Sequence, residues 1–400
     1  MTRAASGGES SGASGRVRRA QAPRLAVDTL IGDRRTRIVV CCGSGGVGKT
    51  TTAAAIGLRA AELGRSTVVL TIDPARRLAQ SLGLAELDNV PRRIDCVDTS
   101  NGGDLWAMML DMKRTFDEIV EAHTDSGRAS QILANPFYQS LSAGFAGTQE
   151  YMAMEKLGQL RAADEWDLIV VDTPPSRSAL DFLDSPERLG RFLDGRFIRL
   201  LVGPAKSGGR AYLRMLTAGF GLVAGAVTKV LGAQLLKDAQ TFVTALDTMF
   251  GGFRERAEAT FRLLQARGTA FLVVAAPEPD ALREASYFVE RLSRDDMPLG
   301  GLVLNRVHRT TGTGGRMRLG AERSVAAAET LEESGEHPLA AAALRLHAER
   351  LVLAAREGRL RDGFVSAHPR VAIAEVPALP ADVHDLDGLR AVGDALAARS

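Results

Sequence analysis

Along this chain, short runs of β-branched and other apolar residues alternate with longer stretches in which apolar positions return every three or four residues. The first pattern fits buried strands and the second amphipathic helices. Runs of the first kind lie at Arg37 to Cys42, Thr67 to Asp73, Leu105 to Asp111, Asp167 to Asp172, Thr269 to Ala275, Leu299 to Asn305 and Arg370 to Val376. Most are continuously apolar rather than alternating, as strands covered on both faces should be. Strand and helix patterns taken in turn predict an α/β fold, a mostly parallel sheet flanked by helices.

Between Pro186 and Phe253 the strand pattern lapses, and Gly, Leu, Met, Phe and basic residues recur at helical spacing. This predicts an inserted helical subdomain at about 186–253, joined by a shorter helical stretch from Met112 to Gln139. The longest apolar stretch, Met215 to Thr228, is fenced by Arg214 and Lys229 and falls short of the roughly 18 residues a membrane span needs. From about 309 to 338 the chain is rich in Gly, Thr, Arg and Glu, a composition that predicts a mobile surface segment. Residues 1–35 are rich in Gly, Ser and Arg and lack the apolar run of a secretory signal. They read as a flexible tail, leaving 36–400 as the folded domain.

Charge narrows the possible partners. With 50 basic and 48 acidic residues the net charge is only +2, so no global field favours nucleic acid or anionic lipid. Three cysteines, two of them adjacent at Cys41 and Cys42, make no disulfide framework, which points to a reducing, cytoplasmic compartment. Successive strand residues face opposite ways, so Cys41 and Cys42 cannot share a zinc ion in the usual geometry. Cys96 stands alone. Neither a structural zinc nor an iron–sulfur cluster is expected.

The densest chemistry is the string Gly43, Ser44, Gly45, Gly46, Val47, Gly48, Lys49, Thr50, followed by Thr51. It sits between an apolar strand and a helical pattern, the context in which such a string is a phosphate loop. Its glycines let successive N–H groups curl around phosphate oxygens, and the next helix adds the positive end of its dipole. Lys49 brings a point charge toward the outer phosphates of ATP, and Thr50 a hydroxyl for Mg2+. Asp172 ends the strand DLIVVD, where its carboxylate can hold the metal's hydration shell beside Thr50. Asp73 closes another strand and precedes Pro74. It either orients the water that attacks the γ-phosphate or simply opens an Asp-Pro turn.

With these motifs the chain resembles the ArsA-type ATPases, the P-loop family of arsenite pumps and tail-anchored-protein targeting. The resemblance runs over about residues 36 to 396. It rests on GSGGVGKTT at Gly43 to Thr51, TIDPARRL at Thr71 to Leu78, AMMLDMKRTFDE at Ala107 to Glu118, VVDTPPSRSALDFL at Val170 to Leu183, LNRVH at Leu304 to His308 and EVPALP at Glu375 to Pro380. It implies that Asp73 activates or positions water, that Asp172 to Ser178 sense the γ-phosphate, that Asn305 reads adenine, and that Val376 to Pro380, Pro377 included, line the base. It also implies a dimer, with itself or a paralogue, that sandwiches ATP and moves a helical subdomain to bind a hydrophobic client helix or membrane protein. In that role the protein works in the cytoplasm or at the membrane periphery. Met215, Leu216, Phe220, Leu222, Val223 and Val227 suit either a client groove or an ordinary core helix.

Three departures qualify the resemblance. Ser44 stands where the family carries a lysine that reaches the partner's phosphates, leaving Arg76, Arg77 and Arg177 as substitute cations. The family's metal-binding cysteines have no counterpart, and Ser178 replaces the usual histidine of the second switch. The sequence thus supports an ATP-hydrolysing switch. A catalytically weak, nucleotide-dependent scaffold or regulatory subunit of a heterodimer is the alternative, while a DNA-partitioning ATPase is disfavoured by the balanced charge.

Overall fold

The computed structural model describes residues 22–73, 77–135, 138–139, 148–174, 255–309, 319–335 and 337–398. The insertion expected at 186–253, with Met215 to Thr228, and the switch residues Arg76, Arg177 and Ser178 lie outside the described residues.

An eight-stranded sheet forms the centre, in the order β3-β4-β2-β5-β1-β6-β7-β8. Its strands are β1 (Ile38–Cys42), β2 (Ser66–Thr71), β3 (Arg92–Arg93), β4 (Asp104–Met109), β5 (Leu168–Asp172), β6 (Thr269–Ala275), β7 (Leu299–Val307) and β8 (Ile373–Pro377). All neighbours pair in parallel except β3, a two-residue antiparallel edge on β4 that carries no apolar signal in the sequence. The α/β reading therefore holds, and its seven expected strands each correspond to an observed one. The central strands β1, β5 and β6 are buried at every residue, which is why their sequences run apolar without alternation.

Parallel connections bring the carboxyl ends of β1, β2, β5, β6 and β7 to one edge. The central strand β1 is flanked by β5 and β6, so its loop opens at a switch point of the topology, where sheets of this kind receive ligands. Helix α1 (Val27–Gly32) precedes β1, and α2 (Lys49–Glu62) follows it. The buried face of α2 is rich in alanine and carries Gly57, which lets the helix lie close to the sheet. At Gly57 a Cβ would come 2.4 Å from Val69 Cγ2. On its other side α2 carries α10 (Leu386–Ala397), whose Leu389, Val392 and Leu396 are buried.

The remaining described helices are α3 (Arg77–Ser81), α4 (Met112–His123), α5 (Ser126–Leu133), α6 (Thr148–Ala163), α7 (Pro279–Arg294), α8 (Ala321–Ser334) and α9 (Pro338–Ala367), with residues 255–265 also helical. The single helical stretch expected from Met112 to Gln139 contains, among the described residues, α4 and α5, separated at 124–125, with residues 138–139 also helical.

Two boundaries differ from the expectation. Residues 22–35, read as part of a tail, pack on the domain: Leu25, Val27 and Ile31 are buried, and the Leu25 N–H donates to the Ile373 carbonyl at 3.1 Å. Leu25, Val27, Leu30 and Ile31, scattered among Arg, Asp and Gly, are too sparse to announce this. Within the stretch 309–338, residues 310–318 lie outside the described residues, and α8 is a helix paired with α9. Alanine and glutamate favour it. Gly335 at φ 70 closes its C-terminus, and Pro338 opens the next helix at its first turn.

Candidate functional site

The phosphate loop links β1 to α2, and two of its glycines are forced by close approach as well as by backbone shape. A Cβ on Gly43 would lie 2.1 Å from the Val274 carbonyl oxygen, and one on Gly48 would lie 2.2 Å from Asn305 Nδ2. Both have positive φ, 149° and 95°, which other residues adopt at a cost. Gly48 also caps α2, so the N-terminal N–H groups of that helix open onto the loop. Lys49 Nζ donates to the Ser44 carbonyl at 2.8 Å, tying the loop across its own mouth. Burial lowers the Lys49 pKa, against the opposing pull of Asp172 and Asp73.

Beneath the loop lies a small polar cluster. Thr50 Oγ1 donates to Asp172 Oδ2 at 2.7 Å and Thr71 Oγ1 donates to the same oxygen at 2.9 Å. Strand register makes this inevitable, because Asp172 sits opposite Thr71 on β2 and opposite Cys41 on β1. Burial pushes the Asp172 carboxyl up to about 6, although the two hydroxyls and Lys49 favour its charged form. Its other oxygen, Oδ1, is buried without a hydrogen-bond partner, as is Ser44 Oγ inside the loop. A buried carboxylate oxygen in that condition is costly. An oxygen-seeking cation with its hydration shell would satisfy it, so Thr50 and Asp172 fit Mg2+.

Asp73 follows β2 at the same edge. Its backbone N–H donates to Thr71 Oγ1 at 3.2 Å, and its charge acts on both Lys49 and Asp172. Lys49, Thr50, Asp172 and Asp73, predicted from three separate stretches, thus meet at one place. Thr71 belongs with them and was missed. A threonine two residues before a strand-end aspartate was the available signal.

Beside the loop opens a cleft of about 650 Å³, and its lining includes Gly48, Thr51, Arg77, Asn305, Arg306, His308, Pro377, Leu379 and His384. Asn305 and Pro377, expected at a base site, share this cleft. Asn305 is also a brace: its Nδ2 donates to the Val47 carbonyl at 2.8 Å, and its Oδ1 accepts the Arg306 N–H at 3.0 Å. Arg306 adopts φ 60, a conformation most side chains avoid, so the turn must be held by its neighbours. His308 is held by Glu357, a buried residue of α9 that accepts the His308 N–H at 2.8 Å and lies 2.7 Å from its Nδ1. Sequence reading missed this pair. Glu357 lies in the string AAREGRLRDG, which has the look of an exposed helix face.

Cys41 and Cys42 are buried in β1, while Cys96 is exposed. Among the described residues, no group of three or more His, Cys, Asp or Glu side chains is arranged to hold a metal ion, and no helix is long and apolar enough to cross a membrane.

Comparison with known proteins agrees with this geometry. Residues 36–319 match the family model of the ArsA ATPases, described as anion-transporting ATPases. An ATPase GET3 of Malassezia globosa is 30% identical over 174 residues, 44% of this chain and 49% of that protein. A protein of Chlorobaculum tepidum, named for driving an arsenical pump, is 28% identical over 157 residues, 38% of this chain and 36% of its own. An ATPase GET3 of Podospora anserina is 23% identical over 285 residues, covering 70% of this chain and 76% of that protein. The chain thus spans about half or less of the length of the first two relatives.

Proposed function

Since the chain belongs to the ArsA ATPase family, we propose that it binds ATP with Mg2+ and hydrolyses it as a dimeric switch, coupling nucleotide state to a hydrophobic client or membrane component. The observation that carries the reading is the Thr50–Asp172 contact beneath the phosphate loop, with Asp172 Oδ1 buried and unpartnered. In this reading the loop N–H groups and Lys49 hold the phosphates, and Thr50 and Asp172 hold the metal, Asp172 through water. The metal supplies charge neutralisation on the phosphate oxygens. Asp73 orients a water whose oxygen bonds to the γ-phosphorus as the bond to the β–γ bridging oxygen breaks. ADP and phosphate leave, and the water's proton passes to bulk through Asp73 or phosphate.

The base occupies the cleft lined by Asn305 and Pro377. The second subunit, the same chain or a paralogue, closes over the phosphates. The helical insertion at about 186–253 takes the client, and the whole works in the cytoplasm or at a membrane's periphery. The relatives named GET3 and for an arsenical pump support the switch reading in general terms.

Ser44 favours a second reading, a weakly hydrolysing regulatory subunit, because its short hydroxyl lies inside its own loop and cannot serve a partner's phosphates. One experiment addresses both. Phosphate release from MgATP is measured for the native chain and for Asp73→Asn. The switch reading expects turnover in the native chain, and a fall of about a hundredfold in Asp73→Asn with ATP affinity kept within about threefold. Negligible turnover in the native chain with firm ATP binding supports the regulatory reading, and absence of ATP binding sinks both.

A further inference from the structure

Two walls of the cleft beside the phosphate loop hang on one helix, while α3 adds Arg77 and Gln80 to its lining. The first wall is the turn 305–308 at the end of β7, and the second is the segment that follows β8 from Pro377. Helix α9 runs 30 residues, and its last turns are sunk in the core through Phe364 and Val365. One and two turns earlier it presents two charged groups, each directed at a different wall. Glu357 takes the backbone N–H and the imidazole of His308. Arg361 Nη1 donates to Glu375 Oε1 at 2.9 Å, on the strand that leads into the second wall. This helix lies beyond residue 319, where the family match ends.

We propose that α9 is the positioning element of the cleft, with Glu357 its principal positioning residue and Arg361 its second anchor, and that through them α9 sets the affinity for the nucleoside part of the nucleotide. The inference rests on the reading of this cleft as the base site. A carboxylate is buried only when donors compensate its desolvation, and Glu357 has two donors, both from His308. Removing it leaves the His308 N–H without its acceptor and frees the far end of a turn that already contains Arg306 at φ 60. The near end of that turn is fixed separately, by Asn305 on the Val47 carbonyl of the phosphate loop. Loss of Glu357 therefore loosens the base wall while the loop keeps its brace.

The test compares two ligands, ATP and inorganic tripolyphosphate, which carries the phosphates without the nucleoside, by calorimetry in the presence of Mg2+. Glu357→Ala is expected to bind ATP about tenfold more weakly and tripolyphosphate with unchanged affinity. Glu357→Gln keeps an acceptor oxygen for the His308 N–H and should recover most of the loss. Arg361→Gln should show the same selective pattern at about threefold. A thermal melt accompanies each variant. Should Glu357→Ala fail to fold, the selectivity of Arg361→Gln decides the matter. Native ATP affinity in Glu357→Ala or, where that variant does not fold, in Arg361→Gln, or equal weakening toward both ligands, overturns the proposal. The reading beneath it fails in a different way: a native chain that binds ATP no more tightly than tripolyphosphate has no nucleoside site in this cleft.

Discussion

The phosphate loop and the cleft beside it meet at Gly48, yet they are built on opposite plans. On the phosphate side one strand, one loop and one helix deliver Gly43 to Thr51 as a continuous run, and the sheet register delivers Asp172 and Thr71. The cleft walls come instead from α3, from the end of β7 and from the segment after β8, held in place by α9. The first plan fixes its geometry by local chain constraint, so few substitutions can leave it intact. The second fixes it by long-range contacts between separate elements, each of which contributes a part. Loss of function should accordingly be abrupt on one side and graded on the other.

The harshest way to break the contrast is Lys49→Ala. No neighbouring cation on the loop replaces this charge, so affinity for both ATP and tripolyphosphate should fall about a hundredfold, measured by calorimetry. A variant that kept its affinity for tripolyphosphate would show that the phosphates bind elsewhere and that the division into two sides is mistaken.

A gentler variant sharpens the contrast through stability. The carboxyl of Asp172 is pushed up to about 6 from its ordinary 3.8 by burial. Between those values the folded chain binds more protons than the unfolded one, so stability falls as pH rises through this window and levels off above it. The contribution is present below 3.8 and gone once Asp172 is ionised in the fold. In metal-free buffer, Asp172→Asn should therefore be more stable than the native chain at pH 7, by about 2–3 kcal/mol, with the difference shrinking toward pH 4. Urea unfolding across this range checks it, and a native chain whose stability does not fall from pH 4 to 7 relative to Asp172→Asn would show that the phosphate side carries no such strain.

The smallest effect concerns the thiols under the loop. Burial pushes Cys42 up to about 12 and Cys41 well above its ordinary value. The reactive form of a thiol is its anion, so both should resist alkylation at pH 8 while the exposed Cys96 reacts. Mass spectrometry of the folded chain should find one rapidly labelled cysteine. Fast labelling of Cys41 or Cys42 would mean that the strand beneath the loop opens readily, contrary to a locally rigid phosphate side.

The same division explains what could be read from the sequence. A phosphate loop is legible because its chemistry requires particular residues at particular spacings, and β1, β5 and β6 are legible because burial on both faces removes polar residues from them. Thr71 was overlooked because its role depends on which strand lies beside β5, and a single strand's pattern says nothing of its neighbour. Glu357 was overlooked for a stronger reason: glutamate on a helix is ordinarily solvated, and only the packing of α9 behind β7 buries this one. The residues 22–35 show the same limit, since Arg24 and Leu25 gain their meaning only from Ile373 of β8, far along the chain.

The pairing of Leu25 with Ile373 has a consequence for how the protein is made. A ribosome releases the segment 22–32 long before β8, so an early part of this sheet waits for a late one. The phosphate loop and its strand emerge before the second wall of the cleft and helix α10, which packs on α2. Until then the nascent chain carries an open sheet edge at β7 and the uncovered apolar face of α2, features that invite aggregation or a chaperone's attention. A truncation that stops before Ile373 should consequently leave β7 as an open edge and an insoluble chain, even though every residue of the phosphate loop is present.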